Sequence, residues 1–151
     1  MFGLSKKILF AVEAVVDIAY HSGGQPVQSR DISERQGIPK RYLEQTLQEL
    51  VRTNFLNGIR GPNGGYSLAR ERRRIFVGEI VQVIRDMKSP GKIPKPDLNS
   101  DLNATVIKPL WQDIEKNLMD QLYNISIDEL CERAQKKGIK REGAQNLDFS
   151  I

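Results

Sequence analysis

Apolar positions in the first third of the chain recur at helical spacing in separate segments. Residues 5–21 carry a stripe at i, i+4, i+7, i+8 and i+11, and Ser5 can cap the start of this helix. A second, short helix is predicted from Ser29 to Gln36, with Ser29 as its N-cap and Gly37 as its C-cap. A third helix is predicted over residues 39–53. Two helices joined by such a short turn are typical of a helix-turn-helix.

The third predicted helix has an apolar face and a polar face. Leu43, Leu47, Leu50 and Val51 are spaced to face the core. The polar face carries side chains suited to base edges, because Arg binds guanine, Gln binds adenine and Glu accepts from the cytosine amino group. An ordinary solvated face is the alternative. The polar face consists of Arg41, Glu44, Gln45 and Gln48.

A glycine-rich segment follows the third helix and predicts a β-hairpin. Within residues 57–70, Ile59 precedes the turn, and Tyr66 and Leu68 follow it in strand-like alternation. Glycines permit positive φ and close backbone approach, and proline stiffens a turn. A helix-turn-helix followed by a hairpin predicts a winged helix, which places basic groups against a nucleic-acid backbone. The turn consists of Arg60, Gly61, Pro62, Asn63, Gly64 and Gly65.

The residues of this segment allow two other interpretations. A nucleotide-binding loop is disfavoured, because no Gly-Lys-Ser/Thr follows and no helix opens directly after it. A purely structural hairpin would be the default for the segment in isolation, and the preceding helices favour the wing. The basic cluster at 70–74 is either a solvated turn or an additional phosphate contact.

The second half of the chain predicts a linker and two more helices. A helix from about 77 to 87 closes a predicted DNA-binding domain over residues 1–87. Residues 88–103 hold three prolines and few apolar side chains, so we expect a linker or an exposed loop. Dimerisation helices are expected over residues 104–137 and a flexible tail over 138–151.

The helix predicted over 104–124 carries an apolar stripe that is wide for packing on one small domain. Pro109 fits only in its first turn or at a kink. Contact with a second copy would cover the stripe, and packing within the chain is the alternative. The predicted dimer interface consists of Val106, Leu110, Trp111, Ile114, Leu118 and Leu122.

The last predicted helix follows Ser126, which resembles the start of a capping box with Glu129, and runs to about Lys137. Its apolar face includes Cys131, which we interpret as a buried thiol. A reactive sensor thiol, which would need a cationic and accessible setting, is the alternative.

Charge and composition narrow the function classes. Residues 1–74 hold 12 basic and 7 acidic side chains, a net charge of +5, whereas residues 75–151 hold 11 and 12, a net charge of −1. The basic excess therefore accompanies the hairpin and favours a polyanionic partner. One cysteine excludes an internal disulfide framework, and no apolar run reaches the ~18 residues of a membrane span. We expect a cytoplasmic protein without membrane contact, and no nucleophile–base arrangement suggests an enzyme.

These segments together resemble the Rrf-two family of bacterial winged-helix regulators. The family includes the iron–sulfur cluster assembly regulator, the nitric-oxide-sensing repressor and the cysteine-metabolism repressor. The resemblance is carried by residues 31–38, 42–45, 60–70, 77–80, 110–114 and 124–130 and covers about residues 1–135. It implies a mainly α fold with a small hairpin wing and a long dimerisation helix.

The resemblance also implies a homodimer that binds a palindromic operator in double-stranded DNA, most often as a repressor. It implies phosphate contacts at the start of the second helix from Gln28, Ser29 and Arg30. It implies that the third helix enters the major groove with Pro39, Lys40, Arg41, Tyr42, Glu44 and Gln45. The wing residues that would contact the minor groove and backbone are Arg60, Gly61, Pro62, Asn63, Gly64, Gly65 and Tyr66.

The chain departs from the family pattern in its cysteines. Many members hold an iron–sulfur cluster with three cysteines ahead of the dimer helix, but residues 86–109 contain none here. His21, the only histidine, is expected at the end of the first helix and not at a metal. We therefore expect a member without cofactor or metal. The effector, protein or small molecule, is left open, and the alternative function is a winged-helix module that docks a partner protein or enzyme.

Overall fold

The computed structural model describes residues 5–87 and 100–142. In these ranges the α-helices are α1 (Lys6–His21), α2 (Ser29–Gln36), α3 (Lys40–Arg52), α4 (Val77–Asp86), α5 (Lys108–Tyr123) and α6 (Ile127–Lys136). One antiparallel hairpin is formed by β1 (Leu56–Ile59) and β2 (Gly65–Leu68). The fold is thus mainly α with a small hairpin, and the predicted fold class is confirmed. No helix in the described ranges is long and apolar enough to cross a membrane.

Helix α1 lies at the centre of the core. The Ser5 hydroxyl accepts a hydrogen bond from the Ile8 amide at 3.4 Å, which confirms the predicted cap. Buried residues occur on more of the helix than the predicted stripe, because α1 packs against α2, α3, α4 and α6. A helix that is apolar on several sides belongs in the interior. Its fully buried apolar residues are Ala11, Ala14, Val15 and Ile18.

In the helix-turn-helix, α2 has the predicted bounds but a different N-cap, and α3 is one residue shorter at each end than predicted. Helix α2 begins at Ser29, yet Gln28 occupies the N-cap position and makes no side-chain cap bond, so the prediction that Ser29 is the cap is wrong. The reason is that Gln28 is extended next to a backbone bridge at Val27, which leaves Ser29 in the first turn. Gly37 adopts the left-handed conformation and donates to the Ser33 carbonyl at 2.9 Å, which confirms the predicted C-cap.

The C-terminal helices share the core of the N-terminal half. Two backbone bonds of 2.8 Å, from Val77 N to Ile125 O and from Ile127 N to Ile75 O, join the start of α4 to the turn between α5 and α6. Ile127 and Cys131 are fully buried in the same core cluster as α1 and α3. Ser126 caps α6 as predicted, since its hydroxyl accepts from the Glu129 amide at 3.1 Å.

The helical segment around α5 begins before residue 104. Residues 101–102 are already helical, and Asn103–Ile107 form a π-helical turn in which the Lys108 amide bonds to the Asn103 carbonyl. Pro109 explains this widened turn, because proline has no N–H and its ring displaces the carbonyl of the preceding turn. The predicted linker is therefore too long at its C-terminal end. Its residues 88–99 lie outside the described residues.

The predicted flexible tail is also partly ordered. Residues 138–142 fold back onto α1 and α2 through several hydrogen bonds, so the prediction is wrong for this part. Residues 143–151 lie outside the described residues.

Candidate nucleic-acid interface

A cleft of about 740 Å³ lies between the start of α2, the C-terminal half of α3 and the wing. Eight of the sequence-predicted contact residues line it together. They are Gln28, Ser29, Arg30, Arg60, Gly61, Gly64, Gly65 and Tyr66. The cleft thus brings together predicted residues from two chain segments, the start of α2 and the wing.

The wing is joined to the start of α2 by a backbone bridge. The Val27 amide donates to the Tyr66 carbonyl and the Tyr66 amide donates to the Val27 carbonyl, both at 2.8 Å. Gly65 permits this approach, because a Cβ there would lie 2.6 Å from the Val27 carbonyl oxygen. The bridge fixes the wing relative to α2, and sequence reasoning missed it because Val27 belongs to no periodic pattern.

The tip of the wing is a tight turn. The Gly64 amide donates to the Gly61 carbonyl at 2.9 Å, so residues 61–64 form a β-turn with Pro62 at its second position. A Cβ on Gly64 would lie 2.2 Å from the Ile59 carbonyl oxygen, so only glycine fits there. Gly64 is buried, whereas Arg60, Gly61 and the two central turn residues are exposed. Gly64 therefore shapes the tip from within, and its neighbours form the outer surface.

The outward face of α3 carries the other predicted contacts. Leu43, Leu47 and Leu50 are fully buried, which orients the opposite face to solvent, while Thr46 adds a buried hydroxyl that the predicted core face did not include. The predicted contacts on or just before α3 are all exposed, and they are Pro39, Lys40, Arg41, Tyr42, Glu44 and Gln45. They lie outside the cleft lining, whereas Gln48 and Val51 of α3 line it. Gln48 was placed on the polar face by its spacing but was not among the predicted contacts.

Four basic side chains of this surface form no ion pair within the described chain. Over residues 5–87 and 100–142, no carboxylate lies within salt-bridge distance of Arg30, Lys40, Arg41 or Arg60. The arginines that do form ion pairs are Arg35, Arg52, Arg70, Arg72, Arg85 and Arg133. The first four cations, Arg30, Lys40, Arg41 and Arg60, are thus exposed and not neutralised by a carboxylate of the described chain, which favours an anionic ligand.

The arginines of the basic cluster at 70–74 fall into two groups, those with an ion pair within the chain and those without one in the described residues. Arg70 pairs with Glu79 at 2.9 Å and its guanidinium lies 4.6 Å from the Phe55 ring centroid. Arg72 pairs with Asp128 at 2.6 Å. These two arginines therefore make contacts within the fold. Arg73 and Arg74 are exposed and remain the candidates for a phosphate contact.

A second exposed surface lies on the segment that leads into and through α5. No residue of α5 is fully buried in the chain, and the exposed apolar side chains include Leu102 (63% exposed), Val106 (52%) and Leu110 (51%). Ile114 and Leu118 are half-buried, and Trp111 is 37% exposed.

Leu122 differs from the other predicted interface residues, because it packs against the core of its own chain. The predicted stripe consists of residues spaced four apart. Because a helix has 3.6 residues per turn, each such residue is rotated by about 40° around the helix axis relative to the one before it. Over the four steps from Val106 to Leu122 the row turns by about 160°, so its two ends face opposite sides. Packing within the chain is thus the correct interpretation for Leu122.

The residues present do not fit an iron–sulfur cluster. Cys131 is the only cysteine, it is fully buried on α6, and burial raises the pKa of its thiol. Clusters are bound by several thiolates. Within the described ranges, no group of three or more His, Cys, Asp or Glu residues is placed to bind a metal ion. His21 is the last residue of α1, as predicted, and its Nδ1 accepts a hydrogen bond from the Glu142 amide at 3.2 Å.

Comparisons with known proteins show the family of this chain. The family model Rrf2, described as an iron-dependent transcriptional regulator, matches residues 4–133. The HTH-type transcriptional regulator IscR of Xenorhabdus nematophila is 34% identical over 132 residues, which cover 87% of this chain and 80% of the relative. The IscR of Vibrio campbellii is 32% identical over 149 residues, which cover 98% of this chain and 87% of the relative.

Two solved structures of regulators resemble this chain in fold. The structure of T. potens IscR matches with a TM-score of 0.73 at 31% identity, covering 92% of this chain and 93% of that one. CymR, the global cysteine regulator of B. subtilis, matches with a TM-score of 0.69 at 24% identity, covering 88% and 98%, a likeness that concerns the fold alone. The predicted resemblance is confirmed, and the chain belongs to the Rrf2 family of winged-helix, DNA-binding transcriptional regulators.

Proposed function

We propose that this protein is a homodimeric regulator that binds a palindromic operator and represses transcription without an iron–sulfur cluster. The observation that supports the DNA-binding surface is a set of four exposed cations at the cleft and on α3 that form no ion pair within the described residues. They are Arg30, Lys40, Arg41 and Arg60. In this proposal Arg30 and Arg60 neutralise phosphates on either side of the cleft, and α3 enters the major groove between them.

The exposed face of α3 provides the sequence specificity. Arg41, Glu44 and Gln45 are exposed and carry the donor and acceptor groups that discriminate base edges in the major groove. The backbone bridge between Val27 and Tyr66 supports the same proposal, because it holds the wing and α2 in one arrangement before DNA is bound.

The dimer brings two such surfaces to one DNA. Leu102, Val106 and Leu110 are spaced four apart and each is at least half exposed in the single chain. A second copy of the same segment would remove these side chains from water, and a two-fold axis would match the symmetry of a palindrome. A cytoplasmic location is part of the proposal, since the operator is chromosomal DNA.

The proposed function is tested by titrating a labelled operator fragment with the protein at several salt concentrations. We expect nanomolar-scale affinity that falls linearly on a log–log plot as salt rises, because each phosphate contact releases counterions. Changes at Glu44 or Gln45 should alter base preference, whereas a change at Arg30 should weaken all sequences alike. Absence of salt-dependent binding, together with co-purification of another protein, would support a partner-docking module instead.

A further inference from the structure

After α6 the chain reverses direction and contacts the C-terminal ends of α1 and α2. We call residues 138–142 the strap. Gly138 adopts a positive φ of 81°, and the Ile139 amide bonds to the Ala134 carbonyl at 3.2 Å, which closes the end of α6. The strap then lies against the C-terminal end of α1 and reaches α2 at residue 142.

The strap makes three contacts with the end of α1. The buried Tyr20 donates its hydroxyl hydrogen to the Ile139 carbonyl, and the Arg141 guanidinium lies 5.1 Å from the Tyr20 ring centroid. The backbone amide of Glu142 donates to Nδ1 of the buried His21 at 3.2 Å. The backbone of the strap is therefore fixed at both of its ends.

Arg35 of α2 is shared between α1 and the strap. Its Nε and Nη2 donate to the two carboxylate oxygens of Asp17 at 2.9 and 2.8 Å, and the Asp17 side chain is fully buried. Its remaining Nη1 donates to Glu142 at 2.6 Å. Gln36 also donates to Asp17, at 2.8 Å. A planar guanidinium that bridges two carboxylates fixes both the distance and the angle between the elements that carry them.

This network holds the C-terminal end of helix α2, while the Val27–Tyr66 bridge adjoins its N-terminal end. The helix has eight residues, of which only Ile32 is buried, so apolar packing holds it weakly. Its N-terminal end carries Gln28, Ser29 and Arg30 into the cleft, and its C-terminal end is held by Arg35. Since a two-turn helix moves as a rigid unit, a change at one end shifts the other.

We propose that the strap positions α2 for DNA binding, and that Arg35 is the positioning residue through which Glu142 acts on the phosphate contact of Arg30. This inference rests on the proposed DNA-binding function and adds a contribution from the C-terminal segment. An exposed ion pair alone stabilises little. Here, however, Asp17 already orients the Arg35 side chain and the His21 bond already fixes the backbone of Glu142, so only the Glu142 side chain loses freedom when the pair forms.

The test is a double-mutant cycle in the full chain. Glu142→Gln removes the charge from the strap, Arg30→Ala removes the proposed phosphate contact, and the two are combined. Operator affinity is measured for each at a temperature at which unfolding curves show every variant folded. Glu132→Gln, an exposed α6 carboxylate outside the network, is the matched control.

We expect Glu142→Gln to weaken operator binding by about fivefold, at the lower end of usual couplings between sites, and Glu132→Gln to leave it unchanged. The fivefold loss should disappear in the Arg30→Ala background, because the contact that the strap positions is then absent. Tyr20→Phe, which loosens the strap without altering charge, should weaken binding in the same direction.

Three results would overturn the proposal, and the third is distinguishable because it also overturns the proposed function. Unchanged affinity of Glu142→Gln would show that the strap does not act on DNA binding. An equal loss in the wild-type and Arg30→Ala backgrounds would show that the strap acts through general stability. Failure of the unaltered chain to bind any operator would overturn the proposed function itself, and the positioning role would be refuted with it.

Discussion

Val27 and Tyr66 exchange two backbone hydrogen bonds of 2.8 Å, and this pair joins the wing to the residue just before the N-cap of α2. The two walls of the cleft are therefore connected by backbone and not only by side chains. Side-chain substitutions on the cleft surface can alter ligand contacts and leave the spacing of the walls intact. Substitutions that separate Val27 from Tyr66 should change the spacing itself.

Gly65→Ala tests this relationship. The added Cβ would lie 2.6 Å from the Val27 carbonyl oxygen, and the φ of Gly65 is +149°. We expect a loss of about 1–3 kcal/mol in the free energy of unfolding and a weaker affinity for DNA. Urea unfolding and operator titration measure the two effects. Gly24→Ala is the control, since Gly24 also has a positive φ but no atom lies within 4 Å of its Cβ position. Equal effects of both variants on DNA affinity would contradict the role of the bridge.

Leu110→Asp tests the dimer. Leu110 is 51% exposed in the single chain, so a charge there should leave the fold intact but oppose burial between two copies. We expect the variant to sediment as a monomer at concentrations where the unaltered chain is a dimer. Gln112→Asp, at another exposed position of α5, should remain dimeric. A dimer that survives Leu110→Asp would place the interface elsewhere.

The pH dependence of stability should reflect His21. Burial is the largest influence and lowers the pKa of His21 below 6.5; the carboxylates of Asp17 and Glu142 oppose this and Arg35 adds to it. Because the unfolded chain then binds the proton more readily, the contribution of His21 is complete above pH 6.5 and is lost as pH falls through the folded-state pKa.

His21→Asn provides the comparison for this prediction. Asparagine keeps an acceptor for the Glu142 amide but does not titrate. The free energy of unfolding is measured for both chains at about pH 7.5 and about pH 5.5, on either side of the usual histidine pKa. The loss on acidification should be smaller in the variant, and identical losses would refute the assignment.

Cys131 should be an unreactive thiol. It is fully buried, and burial, the largest influence, raises its pKa, although Arg72 and Arg141 act in the opposite direction. Only the thiolate attacks disulfide reagents, so modification of the folded chain by an aromatic disulfide should be far slower than that of the urea-unfolded chain. Comparable rates would instead support a sensor thiol.

Much of the fold could be predicted from local patterns. The bounds of α2, the cap at Ser126 and the hairpin around Gly61 to Gly65 follow from short-range residue preferences, and these predictions are confirmed. Predictions that depended on partners distant in sequence were less successful. Ser29 is not the N-cap because Val27 pairs with a strand almost forty residues later, and no local signal in the sequence marks that pairing.

In the candidate site and the C-terminal half, too, local patterns predicted less than the contacts between residues distant in sequence. The clustering of α2, α3 and the wing was predicted through the resemblance. That Gln48 lines the cleft is evident only from the three-dimensional arrangement. Residue spacing alone could not tell Leu110 from Leu122, because a row of residues four apart turns around the helix. The strap was missed because its polar contacts join residues more than a hundred positions apart.

The central claim, sequence-specific DNA binding through the cleft and α3, is tested most directly by selecting genomic DNA fragments on the purified protein. Arg60→Ala is analysed in parallel, because Arg60 is exposed and makes no ion pair in the described part of the chain. Lys116→Ala, an exposed cation on α5, is the matched control. We predict that the unaltered chain and Lys116→Ala enrich one shared palindrome and that Arg60→Ala does not. Enrichment of no common sequence, or the same enrichment by all three proteins, would contradict the account.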